Sequence, residues 1–160
     1  MQSPKPLKHL RLLVFSAILS LVSAQTASAG MAATGNLGVQ ALSGFDKMNF
    51  GYNVAVYDKL DDQVLVGVET GQGVAQDASA VPILAAAYIR LPIGRAIVPV
   101  ATGGLGYALF SPVSGLMWRG GGGLDIRNGR HSSVLIGSEY EGYANYGGGI
   151  VIRAGLLLEI

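Results

Sequence analysis

Residues 150–160 read IVIRAGLLLEI. Successive side chains of an extended strand point to opposite faces. Ile150, Ile152, Ala154, Leu156, Leu158 and Ile160 therefore form one face, and Val151, Arg153, Gly155, Leu157 and Glu159 the other. The first face carries no polar atom outside the backbone. The second mixes aliphatic, small and charged residues of both signs.

The same alternation runs upstream. Met48, Phe50, Tyr52, Val54 and Val56 alternate with Asn49, Gly51, Asn53, Ala55 and Tyr57. Val64, Val66 and Val68 oppose Gln63, Leu65, Gly67 and Glu69, while Val134, Ile136 and Tyr140 oppose Leu135, Gly137, Glu139 and Glu141. Eight such segments are expected, near 34–43, 48–57, 63–73, 81–91, 97–110, 116–127, 132–143 and 147–160, with starts 14 to 19 residues apart. That spacing leaves no room for helices between strands.

Which face points inward decides the fold. The mixed face holds too many glycines and alanines for a solvated exterior, and the other face is almost purely aliphatic. Apolar-out, mixed-in alternation over strands of about 10 residues is what a membrane-spanning barrel requires. Closure is also the only way a sheet leaves no unpaired backbone in lipid. The expected fold is all-β: an eight-stranded antiparallel up-and-down transmembrane β-barrel.

The chain opens MQSPKPLKHLRLLVFSAILSLVSAQTASAG. Lys5, Lys8 and Arg11 precede an uncharged run of 13 residues, Leu12 to Ala24, and Ala27-Ser28-Ala29 is a small-x-small site. This order describes a secretory signal peptide, because 13 residues fall short of a spanning helix. Residues 1–29 are expected to be cleaved, after Ala29 or alternatively Ala24, leaving 30–160 as one barrel domain. The whole chain has a formal charge of +1, but residues 30–160 carry eight bases against ten acids, a formal charge of −2. The basicity belongs to the leader, which argues against a nucleic-acid partner. There is no cysteine, so neither disulfides nor thiol chemistry is available.

Connectors fit the barrel. DKLDD (58–62), LPIGRA (91–96) and RNGRH (127–131) are short and turn-forming, with Asn128-Gly129 a hairpin signal. They occur at every second connection, as periplasmic turns would. SGFDK (43–47), GVAQDASA (73–80), SPVSG (111–115) and ANY (144–146) are the outward loops. Phe50, Tyr52, Tyr107, Phe110, Trp118, Tyr140, Tyr143 and Tyr146 gather at that end as an expected interfacial girdle.

With these features the chain resembles the small eight-stranded outer-membrane proteins of the OmpA/OmpX-like superfamily. The ending RAGLLLEI is similar to the family's assembly signal, carried here by Arg153, Gly155, Leu158 and Ile160, with Ile160 in place of the usual final aromatic. VPVATGGLGYALF (98–110) resembles the family's glycine-rich fifth strand. The resemblance implies an outer membrane of a Gram-negative (didermic) bacterium, with outer-membrane lipid and the assembly machinery as partners, and a monomer.

The stretch WRGGGGLDIRNGRH (118–131) lacks the Gly-Lys-Ser/Thr ending of a phosphate loop. As a strand it turns Met117, Arg119, Gly121, Gly123, Asp125 and Arg127 inward, with the glycines making room for long neighbours. The inward charges are then Glu69, Arg90, Arg119, Asp125, Arg127, Glu139, Glu141, Arg153 and Glu159, four positive and five negative. Charges inside a narrow barrel must pair. The expectation is an interior ionic network with Arg119 opposite Glu139 or Glu141, Arg153 diagonal to Glu139 and Glu69 close by, serving a structural or narrow-pore, porin-like role.

Two other functions compete. A soluble periplasmic lipocalin-like carrier would turn the aliphatic faces inward around a ligand. A lipid-modifying outer-membrane enzyme would need a nucleophile, a histidine and an acid together. The only histidine after the leader is His131, beside Ser132 and Ser133 in a turn, so no catalysis is expected. Neither a cofactor nor a metal site is expected.

Overall fold

The computed structural model describes residues 30–42, 49–75, 78–110, 114–145 and 147–160. The expected leader, Phe110's side chain and Tyr146 lie outside what is described. Eight strands follow one another: β1 (Met31–Leu42), β2 (Asn49–Lys59), β3 (Val64–Ala75), β4 (Ala78–Arg90), β5 (Ile97–Phe110), β6 (Ser114–Arg127), β7 (Ser132–Tyr143) and β8 (Gly147–Glu159). Each pairs antiparallel with its sequence neighbours, and β8 pairs with β1 to close the barrel. At the seam the Met31 N–H donates to the Ile160 carbonyl at 3.2 Å, and Ile160 N–H donates back at 2.8 Å. The fold is all-β, up-and-down and closed.

Two expected boundaries move outward. β1 starts at Met31 instead of 34, because Met31 lies opposite Asp58 on β2. β3 and β4 extend into the expected eight-residue loop 73–80: Val74 pairs with Ser79 and Ala75 with Ala78, leaving only 76–77 between them.

The Asn128-Gly129 pair does turn the chain, but not as a two-residue hairpin. Among the described glycines only Gly30, Gly94 and Gly147 have positive φ, whereas the tight primed turn needs positive φ at both central residues. The turn instead spans 128–131, closed by Asn128 N–H donating to the Ser132 carbonyl at 3.2 Å and Ser132 Oγ donating to Asn128 Oδ1 at 2.7 Å.

Side chains sort by parity along every strand. Leu37, Phe50, Leu105, Ile152 and Leu156 are more than half exposed on the outside, while Ala55, Leu65, Glu69, Met117, Arg119 and Asp125 are buried within. Two apolar layers cross the lumen. One packs Ala32, Tyr57, Leu65, Tyr88, Val100 and Leu157. The other packs Leu84, Ala108, Met117 and Tyr143. Tyr143 thus leaves the expected girdle: it shares the parity of Glu139 and Glu141 and faces in. Phe50, Tyr52, Tyr107, Trp118 and Tyr140 do stand outside, with the Trp118 and Tyr140 rings 5.3 Å apart.

The glycine run 120–123 lies on β6. A Cβ on Gly121 would run into the Ser138 carbonyl and the Cα and Cγ of Glu139, and one on Gly123 into the Ile136 carbonyl. Gly121 therefore makes room for Glu139 at the barrel wall. Gly121→Val is expected to cost about 1–3 kcal/mol through overpacking, read as a lower urea midpoint for the refolded barrel. An unshifted midpoint would mean the wall has slack there.

Candidate functional site

The lumen between the two apolar layers is filled by charge. Parity places Glu69 on β3, Arg119 on β6, Glu139 and Glu141 on β7 and Arg153 on β8 inside, all at similar height. The ladder sets Arg119 opposite Glu141 and Arg153 opposite Gly137. Contacts do not simply follow the ladder. The Arg119 guanidinium crosses the lumen to Glu69 and donates through Nη1 and Nη2 to its two carboxylate oxygens. Its Nε lies 3.7 Å from Glu139. Arg153 Nη1 lies 2.8 Å from Glu139 and 3.3 Å from Glu69, and Nη2 donates to Glu141.

Neutral donors add to the carboxylates' partners. Asn53 Nδ2 donates to Glu69 at 2.7 Å, Thr102 Oγ1 to Glu139 at 2.6 Å, and Gln40 Nε2 and the Tyr143 hydroxyl to Glu141 at 2.5 and 2.9 Å. Three carboxylates thus face two guanidiniums in a buried layer, and bidentate charge-assisted bonds are the strongest available to them. A cavity of about 50 Å³ adjoins the layer beside Tyr57 and Tyr88, and one of about 40 Å³ adjoins it beside Gln40 and Tyr143. Each has room for roughly one to three waters.

A second ionic layer closes the lumen at the end that carries the connectors 60–63, 91–96 and 128–131. Arg90 Nε donates to Asp125 at 2.8 Å and Nη2 to Glu159 at 2.6 Å. Lys59 Nζ lies 2.6 Å from Glu159 and 3.5 Å from Asp62, and the Tyr88 hydroxyl donates to Asp125 at 3.1 Å. Arg127, expected in the network, departs from it. It is exposed at the mouth, and no carboxylate of the described residues lies within ion-pair distance. It is the last residue of its strand, where the lumen has already opened.

Sequence reasoning misses Lys59, Gln40, Asn53, Thr102 and Tyr88. Lys59 carries a usable signal, since it continues the inward parity of Asn53, Ala55 and Tyr57, but the polar run DKLDD draws it into the connector. Glu69 as the partner of Arg119 is not legible, because hairpin logic finds neighbours along the sheet and not residues across the lumen. Of the expected assembly signal, Arg153 lies in the central layer and Gly155 faces inward opposite Asn36, while Leu158 and Ile160 point outward.

No protein-family model matches this chain, and no curated protein is significantly similar to it. Solved structures do match. Neisserial surface protein A (NspA) superposes with a TM-score of 0.69 at 12% identity, over 84% of this chain and 99% of that one. The N-terminal β-barrel domain of Pseudomonas aeruginosa OprF gives 0.57 at 14% identity, over 81% and 97%. The fold is that of the small outer-membrane barrels. It is OmpA/OmpX-like in strand number, direction and closure.

One such small outer-membrane barrel is an enzyme: PagL, an outer-membrane enzyme, superposes with a TM-score of 0.54 at 16% identity, over 79% of this chain and 99% of that one. Here the residues a relay would need are elsewhere engaged. Ser132 Oγ donates to Asn128, Ser133 is buried, and Asp125 and Glu139 are held by Arg90 and Arg153. Among the described residues no hydrogen bond joins His131 to either serine, and no group of His, Asp and Glu has metal-binding geometry.

Proposed function

We propose that this chain is an integral β-barrel of the outer membrane of a didermic bacterium, with a structural role and a lumen held shut by its central ionic layer. The sidedness carries this reading. Leu37, Phe50, Leu105 and Ile152 are 73%, 71%, 64% and 61% exposed, whereas Glu69, Arg119 and Glu141 are 2%, 6% and 3% exposed. A continuous apolar belt of this kind is far larger than the patches soluble monomers expose, and it suits lipid. The leader at 1–29 and the ending Arg153, Gly155, Leu158 and Ile160 fit export and assembly along the same route, with lipid and the assembly machinery as partners and a monomer as product.

The carrier alternative needs the aliphatic faces inside. They are outside, and the cavities that flank the central layer, about 50 and 40 Å³, fall far short of the roughly 300 Å³ a drug-sized ligand needs. Refolding into detergent or vesicles tests the membrane reading. A β-rich species that requires amphiphile and migrates differently on a gel after boiling is the expected result. A chain that folds in plain buffer would overturn it.

A narrow passage is the second reading, favoured by the two cavities that flank the central layer. They stand on either side of Glu69 and Arg153, which line both. In planar bilayers the intact protein is expected to show no steady current. A stable open level in the wild type would mean the ionic layer rearranges into a pore.

A further inference from the structure

The mouth of the barrel, beyond the second ionic layer, holds a cavity of about 580 Å³. Its charged side chains are Lys59, Asp62, Arg90, Arg127, Arg130 and Glu159, four cations against two anions, and Ile160 lines it as well. The two acids are already taken. Glu159 accepts from Lys59 and Arg90, both at 2.6 Å, and Asp62 sits 3.5 Å from Lys59. Arg90 is further fixed by Asp125. Among the described residues, Arg127 and Arg130 have no carboxylate within ion-pair distance, although both line the cavity, Arg127 from the end of β6 and Arg130 from the turn that follows. His131 and the backbone of Gly129 line the same wall.

We propose that this mouth cavity is a binding site for an oxyanion, a phosphate- or carboxylate-bearing group gripped by Arg127 and Arg130. The proposal rests on the cavity and its charges, so it stands apart from the membrane reading. The volume lies within the range of small-molecule sites. The floor is built and rigid: Arg90 and Ser133 are 3% and 2% exposed, and Lys59 is nearly as buried. With its side-chain acids paired to that floor, the cavity's remaining charged side chains, Arg127 and Arg130, are both cationic and give a positive field. Two guanidiniums three residues apart, one at the end of β6 and one on the turn after it, offer planar forks of donors, which match the geometry of phosphate and carboxylate oxygens. A cation would meet the same field as repulsion. The group could be delivered by a free solute or by a lipid headgroup, since both present the same oxygens.

The test uses the chain refolded in a nonionic detergent without phosphate groups, with inorganic pyrophosphate as probe and calorimetry as readout. Saturable one-to-one binding is expected, weakened on the order of tenfold or more in Arg127→Gln/Arg130→Gln. Arg95→Gln, on the connector 91–96 and outside the cavity lining, should bind like the wild type. The double variant should keep the wild-type urea midpoint, because neither arginine belongs to the ionic layers. Repeating the titration in vesicles then separates the sources. Competition by phosphatidylglycerol but not phosphatidylcholine points to a headgroup, and equal binding in both points to a free solute. Unsaturable heats, undiminished binding in the double variant, or an equal loss in Arg95→Gln would overturn the site and reduce it to general charge attraction.

Discussion

Arg119→Ala is expected to unfold in vesicles at markedly lower urea, with a loss of about 3–5 kcal/mol. Among the described residues its guanidinium is the only group that binds both oxygens of Glu69, and both residues are buried. Truncation leaves Glu69 with Asn53 and the more distant Arg153, and it brings Glu139 one cation fewer. Most of the loss comes from stranding a buried carboxylate and not from the net worth of the pair, because desolvation offsets much of the Coulomb attraction. That mechanism makes a second demand. Glu69→Leu combined with Arg119→Leu should lose less than either Glu69→Ala or Arg119→Ala alone. If the losses simply add, the two side chains do not act as a pair and the cross-lumen contact is not what holds the layer. The same Arg119→Ala barrel is the natural place to look for current, since shortening that side chain enlarges the cavity beside Tyr57 and Tyr88 and frees Glu69, which stands between it and the second cavity.

Ile152→Arg should cost about 2–4 kcal/mol in a bilayer. Ile152 is 61% exposed, lies near the middle of β8, and stands beside Val39 and Ser138 on the outer surface. The substitution removes no inward contact and disturbs no hydrogen bond of the ladder. Facing water, an exposed change of this kind is worth no more than about 0.5 kcal/mol in either direction. The size of the effect therefore reports the solvent outside the barrel. A neutral outcome in vesicles would place water against β8 and defeat the membrane reading, whatever the fold.

The strand pattern is legible because parity is a local property. Ile150 to Ile160 alone separates outside from inside, and Phe50 to Tyr57 makes the same separation with different residues. Charge on the inner face is legible for the same reason, and so is the room that Gly121 leaves. What escapes is three-dimensional. The partner of Arg119 is set by barrel diameter, which brings β3 across from β6. Arg127 shares the inner parity but sits where the lumen ends. Tyr143 joins the girdle by residue type, although its parity with Glu141 points inside. Lys59 disappears into a turn that in fact begins one residue later, at Leu60. The Asn128-Gly129 pair is a sound turn signal whose backbone form is decided by the flanking strands.

The alternation of apolar and ionic layers along the lumen also bears on voltage. Moving one elementary charge through the whole of a 100 mV difference is worth about 2.3 kcal/mol, and charges that move together with opposite sign contribute nothing. In the layer formed by Glu69, Arg119, Glu139, Glu141 and Arg153, formal charge cancels to within one unit. The apolar floors on either side confine any shift to a small fraction of the membrane's thickness. With one net charge held in this way, the central layer gives an electric field little to pull on.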